Sequence, residues 1–172
     1  MHERPPPPLP ITIRPARPDE AGYVVSVLQD AARWLVSRGI DQWTPDEFTD
    51  ALVARWLAIG MIWLAWSRND AVGTVSLAFQ DDPLWRNVPG AAAYLHKLAV
   101  RRDCAGRGVS RALLRAAEDE AARRGIPAVR LDCWAGNIAL RHFYTAAGYT
   151  LRAIVAEQSW ECALFEKTVP AT

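Results

Sequence analysis

The sequence predicts an α/β fold, or α+β in stricter schemes, and three observations lead there. The chain has 172 residues, 51% of them hydrophobic, enough for one domain with a sizeable core. Short apolar runs of strand length alternate with segments whose apolar residues recur at helical spacing. From Tyr94 to Leu114 a strand runs through a glycine-containing loop directly into a helix, with apolar positions at Val109, Ala112, Leu113, Ala116 and Ala117.

Taken in order, residues 1–10 hold Pro5 to Pro8 and Pro10, so they read as a disordered or extended lead. The single domain is expected over 11–168. Ile11 to Arg14 alternates as a first strand. Asp19 and Glu20 suit the start of a helix whose face is Val24, Val25, Val27, Leu28, Ala31, Ala32 and Leu35, ended by Gly39. Thr44-Pro45-Asp46-Glu47 is a capping box with proline at the first helical position, predicting a second helix to about Leu57. Met61 to Trp66 and Ala71 to Gln80 read as strands joined by a turn at Asn69-Asp70. Asp81 to Gly90 is a loop with two prolines. The strand and helix of 94–114 follow, the helix running to about Arg124. Val129 to Cys133 is a strand. Asn137 caps a helix with face Leu140, Phe143, Tyr144 and Ala147, closed by Gly148. Tyr149 to Val155 and Trp160 to Phe165 are the last strands. The order is βααβββαβαββ.

The glycine loop is where chemistry enters. Gly106 and Gly108 let the backbone adopt positive φ and approach a ligand. The first amides of the following helix lack internal partners and carry the positive end of its dipole, so the loop is suited to phosphate. Arg101, Arg102, Arg107 and Arg111 surround it. No P-loop string occurs, and Gly106-Arg107-Gly108-Val109-Ser110-Arg111 lacks the third glycine of a dinucleotide fingerprint. What the stretch does resemble is the pyrophosphate loop of the GNAT superfamily, the acyl-CoA-dependent N-acyltransferases. That pattern, Arg/Gln-x-x-Gly-x-Gly/Ala, falls on Ala105-Gly106-Arg107-Gly108-Val109-Ser110, departing at Ala105 and Ser110.

A later stretch resembles the same superfamily: Leu131-Asp132-Cys133-Trp134, then Asn137, then Phe143-Tyr144 and Gly148-Tyr149. The resemblance implies the GNAT fold, a mixed, mostly antiparallel sheet splayed at its centre and flanked by about four helices. It implies acetyl-CoA as acyl donor and no metal. It assigns Ala105 to Ser110 to the pyrophosphate, and Leu98, Ala99, Val100 and Asn137 to the pantetheine. Tyr144 becomes the general acid for the departing thiolate. His96 matches a histidine of arylalkylamine N-acetyltransferases and is the expected base, with Glu157 a weaker alternative. Trp34, Trp43, Trp85, Tyr94 and Trp134 are candidates for the acceptor wall, and Asp41 for holding an ammonium group.

A net charge of +1 gives no general attraction to nucleic acid or anionic membrane, and no apolar run spans a bilayer. Three cysteines at long spacings suit neither a metal pattern nor a disulfide framework, so a cytoplasmic protein is expected. The expected activity is direct acetyl transfer to a primary amine of a small molecule, and a homodimer is allowed. A non-catalytic acyl-CoA sensor, and a protein acetyltransferase acting on lysine or an N-terminus, are the alternatives.

Overall fold

The computed structural model describes residues 6–40, 42–80, 82–157 and 160–170, excepting the Glu157 side chain. Its strands are β1 (Thr12–Pro15), β2 (Met61–Ser67), β3 (Asp70–Ala78), β4 (Ala93–Val100), β5 (Ala128–Trp134), β6 (Thr150–Glu157) and β7 (Trp160–Thr168). Its α-helices are α1 (Ala21–Ser37), α2 (Asp50–Ile59), α3 (Val109–Arg123) and α4 (Ile138–Ala146). The expected order of elements is therefore observed. The strands form one open, mixed sheet in the order β1-β2-β3-β4-β5-β7-β6. β4 and β5 run parallel, while β1 with β2, β5 with β7, and β6 with β7 are antiparallel. The β4–β5 register covers Ala93–Leu95 against Val129–Leu131, short of the end of either strand.

The chain forms two compact units, the first reaching Ser76 and taking in Lys97–Ala116, the second comprising Leu77–His96 and Ala117–Thr172. In the first, α1 buries Val24, Val27, Leu28 and Ala32 with Phe48, Val53, Ile62 and Leu64. Glycine matters at Gly73 on β3: a Cβ there would lie 2.9 Å from Leu113 Cδ1 and Val109 Cγ1. The missing side chain lets the opening turns of α3 lie close on β3, and this fixes the loop ahead of α3. In the second unit, Trp85, Ala92, Tyr94, Ala128, Cys162 and Leu164 share a core.

Two local expectations need correction. The Thr44 capping box forms, but it closes only a 3-10 turn, Pro45–Glu47. Phe48 is 2% exposed and leaves that turn in extended conformation, because burying its ring outweighs continuing a helix. Thr49 then caps α2, its side chain accepting the Leu52 N–H at 3.2 Å. The β2–β3 turn lies at Arg68–Asn69, one residue earlier than expected. Arg68 takes φ 55, the left-handed conformation a two-residue turn demands, and Asp70 already belongs to β3.

Candidate active site

In the first unit, Arg101 leaves β4 with its N–H donated to Val72 O at 2.9 Å, and a 3-10 turn over Arg102–Cys104 leads to the glycines. Gly106 has φ 73 and Gly108 φ 86, and among the described residues, chain neighbours aside, no heavy atom lies within 4 Å of a Cβ built on either. The two glycines thus bend the loop around open space. α3 begins at Val109, its first turn marked by the Ala112 N–H donating to Gly108 O at 3.1 Å. Ala105 and Ser110 are half-buried, and Val109 packs inward. Arg107 binds the proline-rich lead: its carbonyl accepts the Leu9 N–H at 3.0 Å, and its Nε donates to Pro7 O at 3.3 Å. Residues 1–5 of that lead lie outside the described residues.

Leu98, Ala99 and Val100 end β4, with Ala99 buried and its neighbours half-buried. Just before them Lys97 adopts φ 54, rare for a residue with a side chain and costing about 1–2 kcal/mol. Its ammonium lies over three rings, 5.2 Å from the centroid of Trp43, 5.8 Å from Trp56 and 6.0 Å from Phe48. Trp43 also meets Phe48 edge to face. Trp34 carries the Arg102 guanidinium 3.8 Å above its ring. Asp41 lies outside the described residues.

The second unit holds the candidate acid and base. His96 projects from β4, 36% exposed, with Nε2 3.7 Å from Asp82 Oδ2. Asp132 of β5 joins them, the three side chains offering polar atoms all within 4.8 Å of one another. One imidazole between two carboxylates can hold a cationic partner, whether a proton, an ammonium group or a metal ion. Tyr94, two residues before His96, is buried beneath, and its hydroxyl accepts from Arg130 at 3.3 Å. Arg130 is itself buried and paired with Glu166 at 2.8 Å.

Tyr144 lies on the buried face of α4, its ring between Phe143, Tyr149 and Phe165 at centroid distances of 5.4, 6.0 and 5.9 Å. Burial pushes the phenol well above its ordinary value, and Cys133 and Asp132 add to the effect. Burial likewise pushes the Cys133 thiol up to about 11 and raises Cys104. Asn137 caps α4, its Oδ1 accepting the Leu140 N–H at 3.0 Å. Trp134 is 38% exposed, its indole pressed against Gly136. The side chain of Glu157 lies outside the described residues.

Sequence reasoning missed Asp82 and Asp132 as neighbours of His96, and the rings around Lys97. The sequence held no signal for either, because the approach of Asp132 to His96 depends on the parallel pairing of β4 with β5, last registered at Leu95 and Leu131.

Comparison with known proteins supplies the remaining observations. Residues 28–149 match the family described as the acetyltransferase (GNAT) family. YesJ of Bacillus subtilis (strain 168), described as an uncharacterized N-acetyltransferase, is 29% identical over 166 residues, covering 91% of this chain and 89% of its own. Two solved structures share the fold. A GNAT-family acetyltransferase from Listeria monocytogenes superposes with TM-score 0.77 at 22% identity, over 94% of this chain and 96% of the other. The PaiA N-acetyltransferase of Thermoplasma acidophilum, solved with coenzyme A, gives TM-score 0.74 at 16% identity, over 93% and 99%.

Proposed function

Because the chain belongs to the GNAT acetyltransferase family and is an N-acetyltransferase, we propose that it acetylates a primary amine of a small molecule by direct attack on acetyl-CoA. The observation that carries this is the pair Gly106 and Gly108, both at positive φ, with open space where side chains would stand and the N-terminus of α3 directly behind. The backbone amides from Gly106 to Ser110 would hold the pyrophosphate, aided by the helix dipole. Ala105 replaces the family's Arg/Gln at little cost, since amides make the main contacts. Leu98 to Val100 would pair with the pantetheine as one more strand edge. An amide there would polarise the acyl carbonyl. Asn137 spends its Oδ1 on the helix cap, and its NH2 group would donate to the pantetheine.

Bound acetyl-CoA supplies the activated thioester, and this chain's residues handle the protons. His96 takes a proton from the amine as its nitrogen bonds to the acyl carbon. Tyr144 gives its phenolic proton to the sulfur as the carbon–sulfur bond breaks, and solvent restores it. Direct attack is favoured over an acyl-cysteine route because a thiol raised to about 11, as in Cys133, is almost wholly protonated near neutral pH. The scheme calls for no metal. Trp34, Trp43, Tyr94 and Trp134 remain the proposed aromatic side chains of the acceptor site.

Three free, buried cysteines suit a reducing cytoplasm. Among the described residues, no helix is long and apolar enough to cross a membrane. A homodimer is the assembly proposed, supported by Leu151, Ile154 and Trp160 at 39, 47 and 40% exposure on the outer strand pair. The test is calorimetry with acetyl-CoA, then thiol release across a panel of amines. Wild-type protein should bind and release thiol, and Gly106→Asp should not bind, because it strains the loop and puts a carboxylate in the phosphate space. Binding without release across small amines and peptides would make the protein a sensor. Equal affinity in a folded Gly106→Asp variant would remove the coenzyme assignment.

A further inference from the structure

We propose that the proline-rich lead is a positioning element for the phosphate loop: the Leu9 N–H fixes the Arg107–Gly108 peptide so that the Gly108 N–H is presented to the pyrophosphate of the coenzyme. The proposal rests on the coenzyme reading given above. Lead and loop both belong to the first compact unit.

Residues 5–10 read Pro-Pro-Pro-Pro-Leu-Pro. Proline has no backbone N–H, so Leu9 carries the one amide donor of this run. That donor is given to the loop, reaching Arg107 O at 3.0 Å. Arg107 returns a second bond, its Nε donating to Pro7 O at 3.3 Å. One loop residue thus holds the lead at two points, two residues apart. Prolines on both sides of Leu9 favour an extended backbone, so little conformational entropy is lost in keeping its N–H aimed. The Leu9 side chain is half-buried, while Pro6, Pro7, Pro8 and Pro10 are exposed. The lead runs on into β1, which pairs with β2 from Thr12, so its far end is anchored in the sheet.

What the Leu9 bond does follows from the peptide it grips. A trans peptide is planar, its C=O and the next residue's N–H pointing opposite ways. The Arg107 carbonyl turned toward the lead therefore turns the Gly108 N–H away from it. Glycines stand on both sides of Arg107, at φ 73 and φ 86. Glycine adopts positive and negative φ about equally readily, so without a brace this peptide rotates easily. In the opposite orientation a carbonyl oxygen would face the phosphates and repel them, where an amide would hold them. Among the described residues, chain neighbours aside, nothing lies within 4 Å of a Cβ built on either glycine. The described part of the lead therefore braces the loop without filling the space for the anion.

Leu9→Pro deletes the N–H and keeps the run extended. Leu9→Ala keeps the N–H and removes the side chain. Calorimetry with coenzyme A should show affinity about tenfold weaker in Leu9→Pro, the size of one hydrogen bond to a charged group, and unchanged in Leu9→Ala. The KM for acetyl-CoA should rise by the same factor in Leu9→Pro, with the amine KM within about twofold and the melting point within a few degrees. NMR of the wild type should show a coupling across the hydrogen bond from Leu9 15N to Arg107 13C′. That coupling should persist with coenzyme A bound, while the Gly108 amide proton moves downfield. A folded Leu9→Pro protein with wild-type or tighter affinity would overturn the proposal, as would equal losses in Leu9→Pro and Leu9→Ala. Should Leu9→Pro not fold, the wild type decides: a coupling that is missing, or that vanishes when coenzyme A binds, overturns the role. Wild-type protein that binds no coenzyme A would overturn the coenzyme reading and this role with it, whereas binding that Leu9→Pro leaves intact overturns this role alone.

Discussion

Tyr144 is buried, its ring packed against three aromatic rings, where a phenolate would be poorly solvated. Its raised pKa means the phenol is protonated at every working pH, so it can donate and cannot serve as base. In the proposed role, the same shift would make it a reluctant acid, releasing its proton only once charge had built up on the sulfur. Tyr144→Phe removes the hydroxyl and retains the ring packing. Turnover in a thiol-release assay should fall about 10- to 10³-fold, with acetyl-CoA affinity by calorimetry unchanged. Normal turnover would make the phenol a packing residue, and lost affinity would make it a binding residue. Its burial was legible from its spacing with Leu140, Phe143 and Ala147 on one face of a short helix, while its proposed role came from the family resemblance. Asp82 was not legible, since nothing in a loop sequence tells which distant strand its carboxylate meets.

At the junction of β1 and α1, one ion pair anchors two elements. Arg14 of β1 grips Glu20 through two bonds of 2.8 and 2.6 Å, and the Arg17 N–H adds a third at 2.9 Å. Glu20 is 3% exposed. The Arg14 hydrogen bonds, and then the Arg17 N–H, hold its carboxyl down at about 2 against an ordinary 4.5. A depressed pKa stabilises the fold above the ordinary value and is lost as pH falls toward the depressed one. Glu20→Gln should therefore melt lower than wild type at pH 7, and the gap should narrow steadily from about pH 5 to pH 2, followed by circular dichroism. A gap that stays constant with pH would mean the carboxylate's charge contributes nothing. The sequence placed acids at this helix start for the dipole. It could not show that one of them turns back to bind the strand, because that depends on how the chain folds between Pro15 and Pro18. The Thr44 box taught the same limit: the caps were legible, and the burial of Phe48 that ended the turn was not.

For the whole molecule, the alternation of apolar runs and helical spacings was enough to give the element order, while the strand order β1-β2-β3-β4-β5-β7-β6 depends on pairings between distant segments. Among the described residues that order leaves β6 as an outer strand paired on one side only, and Leu151 and Ile154 stand exposed along it. Exposed apolar edges invite pairing. Ile154→Lys should weaken the proposed homodimer, read as a shift toward monomer in sedimentation velocity, without changing the melting point by more than a few degrees. A wild type that sediments as a monomer at all concentrations would remove the dimer. A last feature bears on how the protein is handled. The proline-rich lead is moored to Arg107, inside the loop proposed to take the phosphates. A purification tag or cleavage scar fused ahead of that lead is then a perturbation of ligand affinity in its own right, and material for coenzyme titrations is best made with the handle at the opposite terminus.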